Sequence, residues 1–367
     1  MLVVTLDGTP LLGTRTGIGR YVEQLLPALG RTAAATGRDV RVQVTTWSAR
    51  RRRVADLPPG VRQVGPPLPA RALRAAWMRG SFPTAELLGA RGDVMHGTNF
   101  VVPPTKRAAG VVTVHDLTYL DDSSGRSNAA YRRLVPAALR RGAHVLTPTR
   151  AAAEAVVAQY GVDPARATAT PLGVDAGWLD AEAPDARWLA ARGLPEDYVL
   201  YVGSAVPRKN LPSLLAAHHR LSDGGRHGPA LVLAGPAGAA SDAPPPPGVV
   251  RAGWLSEADL RSVVAGARAL ALVAHDEGFG LPVLEALATG RPVVVSAIPA
   301  LLEVAGPHAH GGVDPTDVDS IASGLAAALS RPDDAPARAA RRGWAARWTW
   351  DACAAATLDA YEQAAGR

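Results

Sequence analysis

Cysteine is nearly absent from this 367-residue chain, in which Cys353 stands alone. A single thiol excludes an internal disulfide and a cysteine-ligated metal site, and it favours a reducing cytoplasm as the compartment. No apolar run reaches the roughly 20 residues that a helix needs to cross a bilayer. The first residues also lack the basic and apolar stretches of a secretory signal. We therefore expect a cytoplasmic protein that meets a membrane only at its inner surface.

Two nucleotide-binding signatures are also missing. No G-x-x-x-x-G-K-[ST] loop occurs, which excludes the P-loop class of nucleotide-binding proteins. The glycine loop GTRTGIG at 13–19 fails the dinucleotide fingerprint, because Val22 stands where its third glycine is needed. Gly17 and Gly19 nevertheless precede a predicted helix, so their amides are candidates for contact with a phosphate.

Lysine is scarce, since Lys106 and Lys209 are the only lysines among 39 basic residues. A lysine retained in such a composition indicates a position that needs a compact point charge rather than a planar guanidinium. Lys209 lies in the segment PRKN between a predicted strand and a predicted helix, which starts after Asn210 as its expected cap. Arg208 and Lys209 are therefore expected to bind one anionic ligand, with a solvated basic loop as the alternative.

Charge is unevenly distributed along the chain. Residues 1–180 hold 23 Lys and Arg against 13 Asp and Glu, whereas residues 181–367 hold 16 against 20. This asymmetry suggests peripheral contact with an anionic membrane, and a basic helix within 68–82 could present Leu73 and Trp77 on one face. The alternative is that both side chains pack into the core and the arginines are solvated. No aromatic platform or motif points to nucleic acid.

Apolar runs typical of β-strands alternate with helical periodicity in two successive sets. This alternation predicts an α/β fold with parallel sheets and right-handed crossovers, and the two sets predict two doubly wound domains. One helix is predicted from Arg20, and the linker between domains is predicted within 177–196. The strand-like runs are 2–6, 40–44, 93–96, 111–115 and 144–148 in the first set, and 198–203, 230–235, 269–274 and 292–296 in the second.

Ligands of open parallel sheets bind beyond the carboxyl ends of the strands. His115 and Asp116 end a strand of the first set, although a structural histidine and a turn aspartate are the alternatives there. In the second set, Gly203 and Ser204 follow one strand and Glu277 follows another. These residues are therefore predicted to lie at the ligand-binding edges of their sheets.

The nonapeptide EGFGLPVLE, from Glu277 to Glu285, is the most specific motif in the chain. Gly278 and Gly280 permit close backbone approach, and Pro282 suits the first turn of the helix that follows. Exposed amides at a helix start bind anions, which suits the phosphate-sugar end of a nucleotide. The two carboxylates can accept hydrogen bonds from ribose or hexose hydroxyls.

Metal binding has weak support in the sequence. Asp317-Val318-Asp319 matches a D-x-D metal-binding pattern, but it precedes a helical run, so helix capping is the favoured interpretation. Asp121-Asp122 is equally unspecific, and no histidine or cysteine cluster has the spacing of metal ligands. We expect no metal and no other cofactor.

Several of these motifs resemble one known family. EGFGLPVLEALATGRPVVVS resembles the E-x7-E signature of retaining glycosyltransferases of family four. YVGSAVPRKNLPSLL, HDLTYL and GIGRYVEQLLPAL resemble its mannosyltransferase B-like branch, and TPTRAAAEAV with PLGVD resembles the segment that closes the first domain. The motifs occur in the family's order over residues 7–330. Relatives often have Gly-Arg in place of Gly203-Ser204 and Asn in place of Leu172.

The resemblance implies a GT-B fold, in which two Rossmann-like parallel-sheet domains face each other across a cleft. Domain 1–180 would bind the acceptor, and domain 181–345 would bind the nucleotide-sugar donor. The C-terminal helix, 346–367, is a candidate to cross back and pack on the first domain. The implied reaction is metal-independent, retaining transfer of a hexose to a saccharide, glycolipid or natural-product hydroxyl. Mannose from GDP-mannose is favoured, which would make the enzyme an alpha-mannosyltransferase. The alternatives are an epimerase or phosphorylase on this fold and a non-catalytic binding protein.

The motifs and the resemblance together give the candidate site. In the family, the histidine matched by His115 lies beside the transferring sugar, and Arg208 is the candidate replacement for the arginine missing at Ser204. Front-face displacement would rest on positioning and on stabilisation of the leaving diphosphate. Asp116 and Tyr119 are candidates for acceptor binding. The predicted catalytic residues are His115, Arg208, Lys209 and Glu277, and the predicted donor-binding residues are Gly17, Gly19, Gly203, Ser204, Arg208, Lys209, Gly235, Leu255, Glu277, Gly278, Phe279, Gly280, Leu281 and Glu285.

Overall fold

The chain divides into two units in a computed structural model that describes residues 1–13, 17–49, 53–121, 129–222, 227–236 and 244–366. The first unit comprises Met1–Gly173 together with Thr349–Arg367, and the second comprises Val174–Trp348. The division thus lies at 173/174 and 348/349 rather than at the predicted 180/181 and 345/346. Inside the second unit, the Val174 amide donates to the Trp348 carbonyl at 2.9 Å, which joins the beginning and the end of that unit.

The first unit is built on a seven-stranded sheet in the order β3-β2-β1-β4-β5-β6-β7. All neighbouring strands run parallel. The central strands consist mainly of apolar residues, and their side chains are buried on both faces of the sheet, as a covered parallel sheet requires. The strands are β1 (Leu2–Asp7), β2 (Val40–Thr45), β3 (Arg62–Val64), β4 (Val94–Gly97), β5 (Ala109–Thr113), β6 (His144–Thr147) and β7 (Ala167–Ala169).

Helices α1 (Gly17–Ala35), α2 (Ala70–Trp77), α3 (Tyr131–Arg140) and α4 (Arg150–Tyr160) belong to the first unit, as does the final helix, Trp350–Ala364. The apolar face predicted for α1 is confirmed, because Val22, Leu25 and Leu29 are fully buried. The final helix packs against α1. Ion pairs join Arg31 to Asp351 and Arg38 to Asp359, each at 2.6 Å.

The second unit contains a five-stranded sheet in the order β10-β9-β8-β11-β12, again with parallel neighbours. The strands are β8 (Tyr198–Val202), β9 (Ala230–Ala234), β10 (Val249–Gly253), β11 (Ala269–Leu272) and β12 (Val293–Val295). The helices are α5 (Ala176–Leu179), α6 (Ala186–Ala190), α7 (Leu211–Leu221), α8 (Glu257–Gly266), α9 (Leu281–Ala288), α10 (Pro299–Ala305), α11 (Val318–Ser330) and α12 (Ala335–Ala345). The segment 177–196 therefore carries two short helices of this unit rather than forming a linker.

Two predicted helix starts are confirmed by hydrogen bonds. The Ser256 hydroxyl accepts from the Asp259 amide at 3.1 Å at the start of α8. The Asp317 carboxylate accepts from the Asp319 amide at 2.9 Å at the start of α11, and Asp319 pairs with Arg220. The D-x-D sequence thus serves as a helix cap, as capping geometry favours for aspartate.

The basic segment 68–82 contains helix α2, and the apolar face of this helix is buried. Leu73 and Trp77 belong to the core of the first unit, and the Trp77 indole donates to the Pro83 carbonyl at 2.9 Å. Of the two interpretations of this segment, packing of Leu73 and Trp77 into the core is confirmed, and insertion of these two side chains into a headgroup layer is wrong because they are already buried. Within the described residues, no helix has both the length and the apolar character that spanning a bilayer requires.

Candidate functional site

The carboxyl edge of the second sheet gathers most of the predicted donor-site residues. Gly203 and Ser204 follow β8, Gly235 follows β9, Leu255 lies just beyond β10 and Glu277 lies beyond β11. The parallel strand directions bring all of these residues to one edge, as the sequence predicts.

Two glycines at this edge allow the backbones that follow β8 and β9 to touch. Gly235 has φ 132°, and a Cβ atom there would lie 2.3 Å from the Gly203 carbonyl oxygen. The Gly203 amide donates to the Ala234 carbonyl at 2.9 Å. Any larger residue at Gly235 would therefore force the two loops apart and deform the edge.

The PRKN segment forms a tight turn between β8 and α7. Pro207–Lys209 is a single 3-10 turn, and Asn210 adopts the left-handed conformation with φ 54° and ψ 35°. The Asn210 side chain does not cap α7, contrary to prediction. Its amide instead donates to the carbonyls of Val273 at 3.0 Å and Pro315 at 2.7 Å. Asn210 thereby fixes the turn to the segment that follows β11.

A second link draws the same two segments together. The His275 amide donates to the Arg208 carbonyl at 2.8 Å. Arg208 reaches the same segment through Nη1, which donates to the Asp276 carbonyl at 3.3 Å. Backbone and side-chain bonds thus hold the basic turn against the loop that begins EGFGLPVLE.

Glu277 forms ion pairs with both cations of the turn. Its Oε2 atom pairs with Lys209 Nζ and lies 3.1 Å from Arg208 Nη1. The Lys209 and Glu277 side chains are only 10% and 14% exposed. Burial raises the pKa of Glu277, but the charges of Lys209 and Arg208 outweigh this and hold the pKa below its usual value. Two cations on one carboxylate leave an excess positive charge, which suits an anionic ligand.

The start of α9 provides backbone donors beside this charge. Gly280 is left-handed with φ 88°, and a Cβ atom there would lie 2.5 Å from Leu301 Cδ2. Glycine is thus required for the sharp entry into α9, whose first turn includes Leu281 and Pro282. The first amides of a helix have no intrahelical acceptor, so this terminus is suited to bind a phosphate.

The remaining residues of the motif are enclosed by the protein. Glu285 is 2% exposed and lies on α9, and Gly278 is buried. Phe279 is 4% exposed and meets the Trp348 ring edge-to-face at 5.6 Å. The Phe279 ring therefore packs in the core, so any donor contact at this residue must come from its backbone.

In the first unit, His115 follows β5 and has a defined tautomer. Its Nε2 lies 2.9 Å from the Thr98 carbonyl oxygen, which can only accept, so Nε2 carries the proton. Burial lowers the pKa of His115, although the Thr98 carbonyl and Asp116 act in the opposite direction. A neutral ring with a protonated Nε2 presents the Nδ1 lone pair as an acceptor.

The two candidate acceptor residues have structural roles. Asp116 Oδ1 accepts from the Thr118 amide at 3.0 Å and from the Thr118 hydroxyl at 2.6 Å, which closes a local turn. Tyr119 is 1% exposed, and its hydroxyl bonds to that of Tyr160 at 2.7 Å. The expectation that Tyr119 contacts an acceptor is therefore wrong for this conformation, because the ring belongs to the core.

The glycine loop of the first unit is described only in part. Gly17 and Gly19 form the first turn of α1, where Gly17 is exposed and Gly19 is buried. The preceding residues 14–16 of the motif GTRTGIG lie outside the described residues. The predicted phosphate contact of these two glycines stays a prediction.

Sequence reasoning missed two residues, Trp254 and His96. Trp254 is 59% exposed directly before Leu255, at the carboxyl edge of the second sheet. His96 is fully buried inside β4 and bonds to Thr113 and Tyr361. A histidine inside an otherwise apolar strand was the available signal, because a buried imidazole requires hydrogen-bond partners.

Comparisons with known proteins agree with this architecture. The family model described as "Glycosyl transferase 4-like domain" matches residues 16–173, and "Glycosyl transferases group 1" matches residues 186–344. A glycogen synthase of Mycobacterium tuberculosis is 31% identical over 300 residues, which cover 74% of this chain and 69% of that protein. The chain is a glycosyltransferase of family four.

This glycosyltransferase is also similar to the O-antigen chain mannosyltransferase B of Escherichia coli. The two are 28% identical over 288 residues, which cover 73% of this chain and 74% of the relative. Its fold matches sucrose-phosphate synthase from Thermosynechococcus elongatus with a TM-score of 0.72 at 20% identity, covering 99% of each chain. It also matches Anabaena Alr3699/HepE in complex with UDP and glucose with a TM-score of 0.66 at 15% identity, covering 97% of this chain and 98% of that one. The predicted GT-B fold with two Rossmann-like parallel-sheet domains is confirmed.

Proposed function

We propose that this glycosyltransferase moves a hexose from a nucleotide-sugar donor to an acceptor hydroxyl, with retention of configuration and without a metal ion. The observation that carries the proposal is the pairing of Lys209 and Arg208 with Glu277 at the carboxyl edge of the second sheet. This arrangement offers fixed positive charge and a hydroxyl acceptor side by side.

The diphosphate of the donor is assigned to Lys209, Arg208 and the amides at the start of α9. Negative charge grows on the diphosphate as the glycosidic bond breaks, and preorganised cations stabilise that charge most when they are partly desolvated. Lys209 meets this condition because its side chain is 10% exposed. These groups supply the electrostatic stabilisation that a divalent cation gives elsewhere, which is the basis for the metal-independent reaction.

The two carboxylates of EGFGLPVLE are assigned to the two sugars of the donor. Glu277 would accept from hydroxyls of the transferred hexose, and Glu285 from the ribose. The depressed pKa of Glu277 keeps it an acceptor at neutral pH. A carboxylate occupied by two cations is also a poor nucleophile, which favours front-face displacement over a covalent intermediate.

His115 of the first unit is assigned to the transferring sugar. Its neutral ring offers Nδ1 as an acceptor for a hydroxyl, while Nε2–H is held by the Thr98 carbonyl. We infer that the acceptor is a saccharide, glycolipid or natural product whose hydroxyl group attacks the donor.

Mannose from GDP-mannose is the donor that we favour, which would make the enzyme an alpha-mannosyltransferase. Support comes from the name of the Escherichia coli relative, mannosyltransferase B. A glucosyl donor is the competing choice, since another relative is named glycogen synthase and one structural neighbour was crystallised with UDP and glucose. The donor panel described next separates these two choices.

The decisive experiment is a thermal-shift panel of GDP, UDP, ADP and dTDP, followed by turnover assays with the matching sugar nucleotides. A ligand at 100 times its Kd stabilises the native state by about 2.7 kcal/mol, which moves the melting temperature measurably. We expect GDP to give the largest shift and GDP-mannose to be turned over with retention, as read by NMR of the product anomer. No shift with any diphosphate and no turnover would contradict the proposal.

Contact with an anionic membrane is a separate proposal about the first unit. The net positive charge of residues 1–180 supports it, as does Phe82, which is 71% exposed just beyond α2. Co-sedimentation with anionic liposomes should occur at low salt and weaken as salt screens the charges. Absence of binding at low salt would contradict it.

A further inference from the structure

The His115 ring is enclosed by two aromatic rings of the first unit. Tyr21 meets it edge-to-face with ring centroids 5.3 Å apart, and Phe100 does so at 5.5 Å. With the Thr98 carbonyl holding Nε2, these contacts determine the direction in which Nδ1 points. Orientation of this ring therefore depends on the placement of its two aromatic neighbours.

The backbone of Phe100 is conformationally strained. Its φ is 58°, in the left-handed region that bulky side chains avoid. Strained residues of this kind persist where the surrounding structure fixes them, and they concentrate at functional sites. Phe100 stacks on Tyr131 at 4.9 Å, and its amide donates to the Thr113 carbonyl at 3.0 Å. Thr113 is thus bonded to the backbone of one of the two residues whose rings enclose His115.

Thr113 also bonds the other ring. Its hydroxyl lies 3.2 Å from the Tyr21 hydroxyl and 2.7 Å from His96 Nε2. The second ring nitrogen of His96 lies 2.6 Å from the Tyr361 hydroxyl. Tyr361, His96, Thr113 and Tyr21 thereby form an unbroken chain of hydrogen bonds from the final helix to the wall of the His115 site.

Every member of this chain is buried. His96, Tyr361 and Tyr21 are at most 1% exposed, and Thr113 is 2% exposed. Burial and the neighbouring His115 lower the pKa of His96 to about 3, so the imidazole is neutral and donates from one nitrogen while accepting at the other. A buried network in which every group is satisfied is rigid, whereas removal of one member leaves its partner without a hydrogen bond.

We propose that Tyr361, His96 and Thr113 are positioning residues for His115, acting through the Tyr21 ring. The inference rests on the proposed function, because it concerns the role of His115 beside the transferring sugar. The final helix would then contribute to transfer through the orientation of one imidazole, in addition to completing the core.

The test uses full-length protein, four variants that are compared with wild type, and His115→Asn as a reference for the NMR assignment. Tyr361→Phe and Thr113→Val each remove a hydroxyl from the chain with little change in shape, and Thr113→Ser restores the hydroxyl. Tyr198→Phe is the control, because Tyr198 is 1% exposed and its hydroxyl donates to the Val263 carbonyl at 2.6 Å in the second unit. This control carries a comparable loss of a buried hydrogen bond away from His115.

Two readouts separate positioning from stability. Side-chain ¹⁵N NMR of histidine, with His115 assigned by its absence in His115→Asn, reports the imidazole without any substrate. Turnover reports the role of His115 in transfer, and since a misplacement of 1 Å can cost about 10²-fold in rate, a smaller displacement of the ring should lower kcat by about 10-fold. We expect Tyr361→Phe and Thr113→Val to shift the His115 signals and lower kcat by this factor with donor KM unchanged. Thr113→Ser and Tyr198→Phe should resemble wild type.

Unchanged His115 signals in both Tyr361→Phe and Thr113→Val would overturn the inference, as would shifted signals with wild-type kcat. A fall in kcat in the Tyr198→Phe control equal to that in Tyr361→Phe would also overturn it, because general destabilisation would then explain both. If wild-type protein turns over no sugar nucleotide, the proposed function is contradicted, and this result is independent of the inference about the hydrogen-bonded chain. The NMR comparison then still decides whether the hydrogen-bonded chain sets the His115 ring.

Discussion

Lys209 and Glu277 form a partly buried ion pair although 68 positions separate them in the chain. Lys209 ends the turn after β8, and Glu277 begins the loop after β11, the neighbouring strand in the sheet. Strand pairing therefore brings together two loops whose charges complement each other. The pair joins PRKN to the motif EGFGLPVLE.

Loss of the Lys209 ammonium should affect turnover strongly. Lys209→Ala is expected to lower kcat on the order of 10²-fold, because one preorganised charge-stabilising group is removed. Lys106→Ala is the matched control, since Lys106 is the only other lysine of the chain. Steady-state kinetics with the sugar nucleotide check the prediction. Near-normal turnover and donor affinity in Lys209→Ala would remove Lys209 from the site.

Substitutions of Glu285 and Glu277 should have different effects, one on binding of the nucleoside diphosphate and the other on turnover of the sugar nucleotide. We expect Glu285→Ala to weaken binding of the nucleoside diphosphate, because its carboxylate is assigned to the ribose. Glu277→Ala should leave diphosphate binding largely intact and mainly lower turnover of the sugar nucleotide. Calorimetry with the diphosphate and kinetics with the full donor measure the two effects. Wild-type behaviour of both variants would refute both assignments.

Transfer should survive removal of divalent metal by EDTA, because Lys209 and Arg208 are assigned the charge that a metal would supply. Asp317→Ala tests the D-x-D sequence directly. Loss of its cap at α11 should lower the free energy of unfolding by about 1 kcal/mol and leave kcat unchanged. Complete loss of activity in EDTA, restored by magnesium or manganese, would be incompatible with a metal-independent reaction.

Glu86 should make the first unit sensitive to acid. Its Oε1 accepts from the amides of Lys106, Arg107 and Ala108 at 2.8, 2.9 and 3.2 Å. Burial raises the pKa of Glu86, but these amides outweigh it and lower the pKa to about 2. A depressed pKa stabilises the folded state above the unfolded value of about 4.3, and the contribution is lost as the pH falls toward 2.

Glu86→Gln should therefore lower the melting temperature at pH 7, and its difference from wild type should shrink between pH 4 and pH 2. Glu154→Gln, which changes an exposed carboxylate on α4, is the control. Thermal unfolding across this pH range is the measurement. A difference that stays constant with pH would show that the amide contacts do not stabilise the charged form.

The gathering of the predicted donor-site residues at the carboxyl edge of the second sheet was predictable because its signals are local. Glycines at turns, a proline at a helix start and charges after apolar strands all lie within short segments. Asn210 was misjudged for the opposite reason. The Asn210 side chain donates to the carbonyls of Val273 and Pro315, which lie far away in the sequence. The local sequence pattern shows neither acceptor, so it predicted a helix cap.

The role of α2 was ambiguous for a similar reason. An amphipathic pattern identifies the apolar face of a helix but not what covers it, and Leu73 and Trp77 are covered by the core. The boundary near 173 also depends on long-range packing, because the final helix packs on α1 at the other end of the sequence. Periodicity contains no information about such partners.

The division of the chain has a consequence for biosynthesis. Residues 174–348 form one continuous segment, whereas the first unit needs a segment from each side of it. During translation, the second unit can fold as soon as it leaves the ribosome, whereas the apolar face of α1 stays uncovered until residues 349–366 have been made. A ribosome that stopped near residue 348 would release a chain whose second unit is complete and whose first unit lacks its final helix, and such a chain exposes apolar surface to chaperones and proteases.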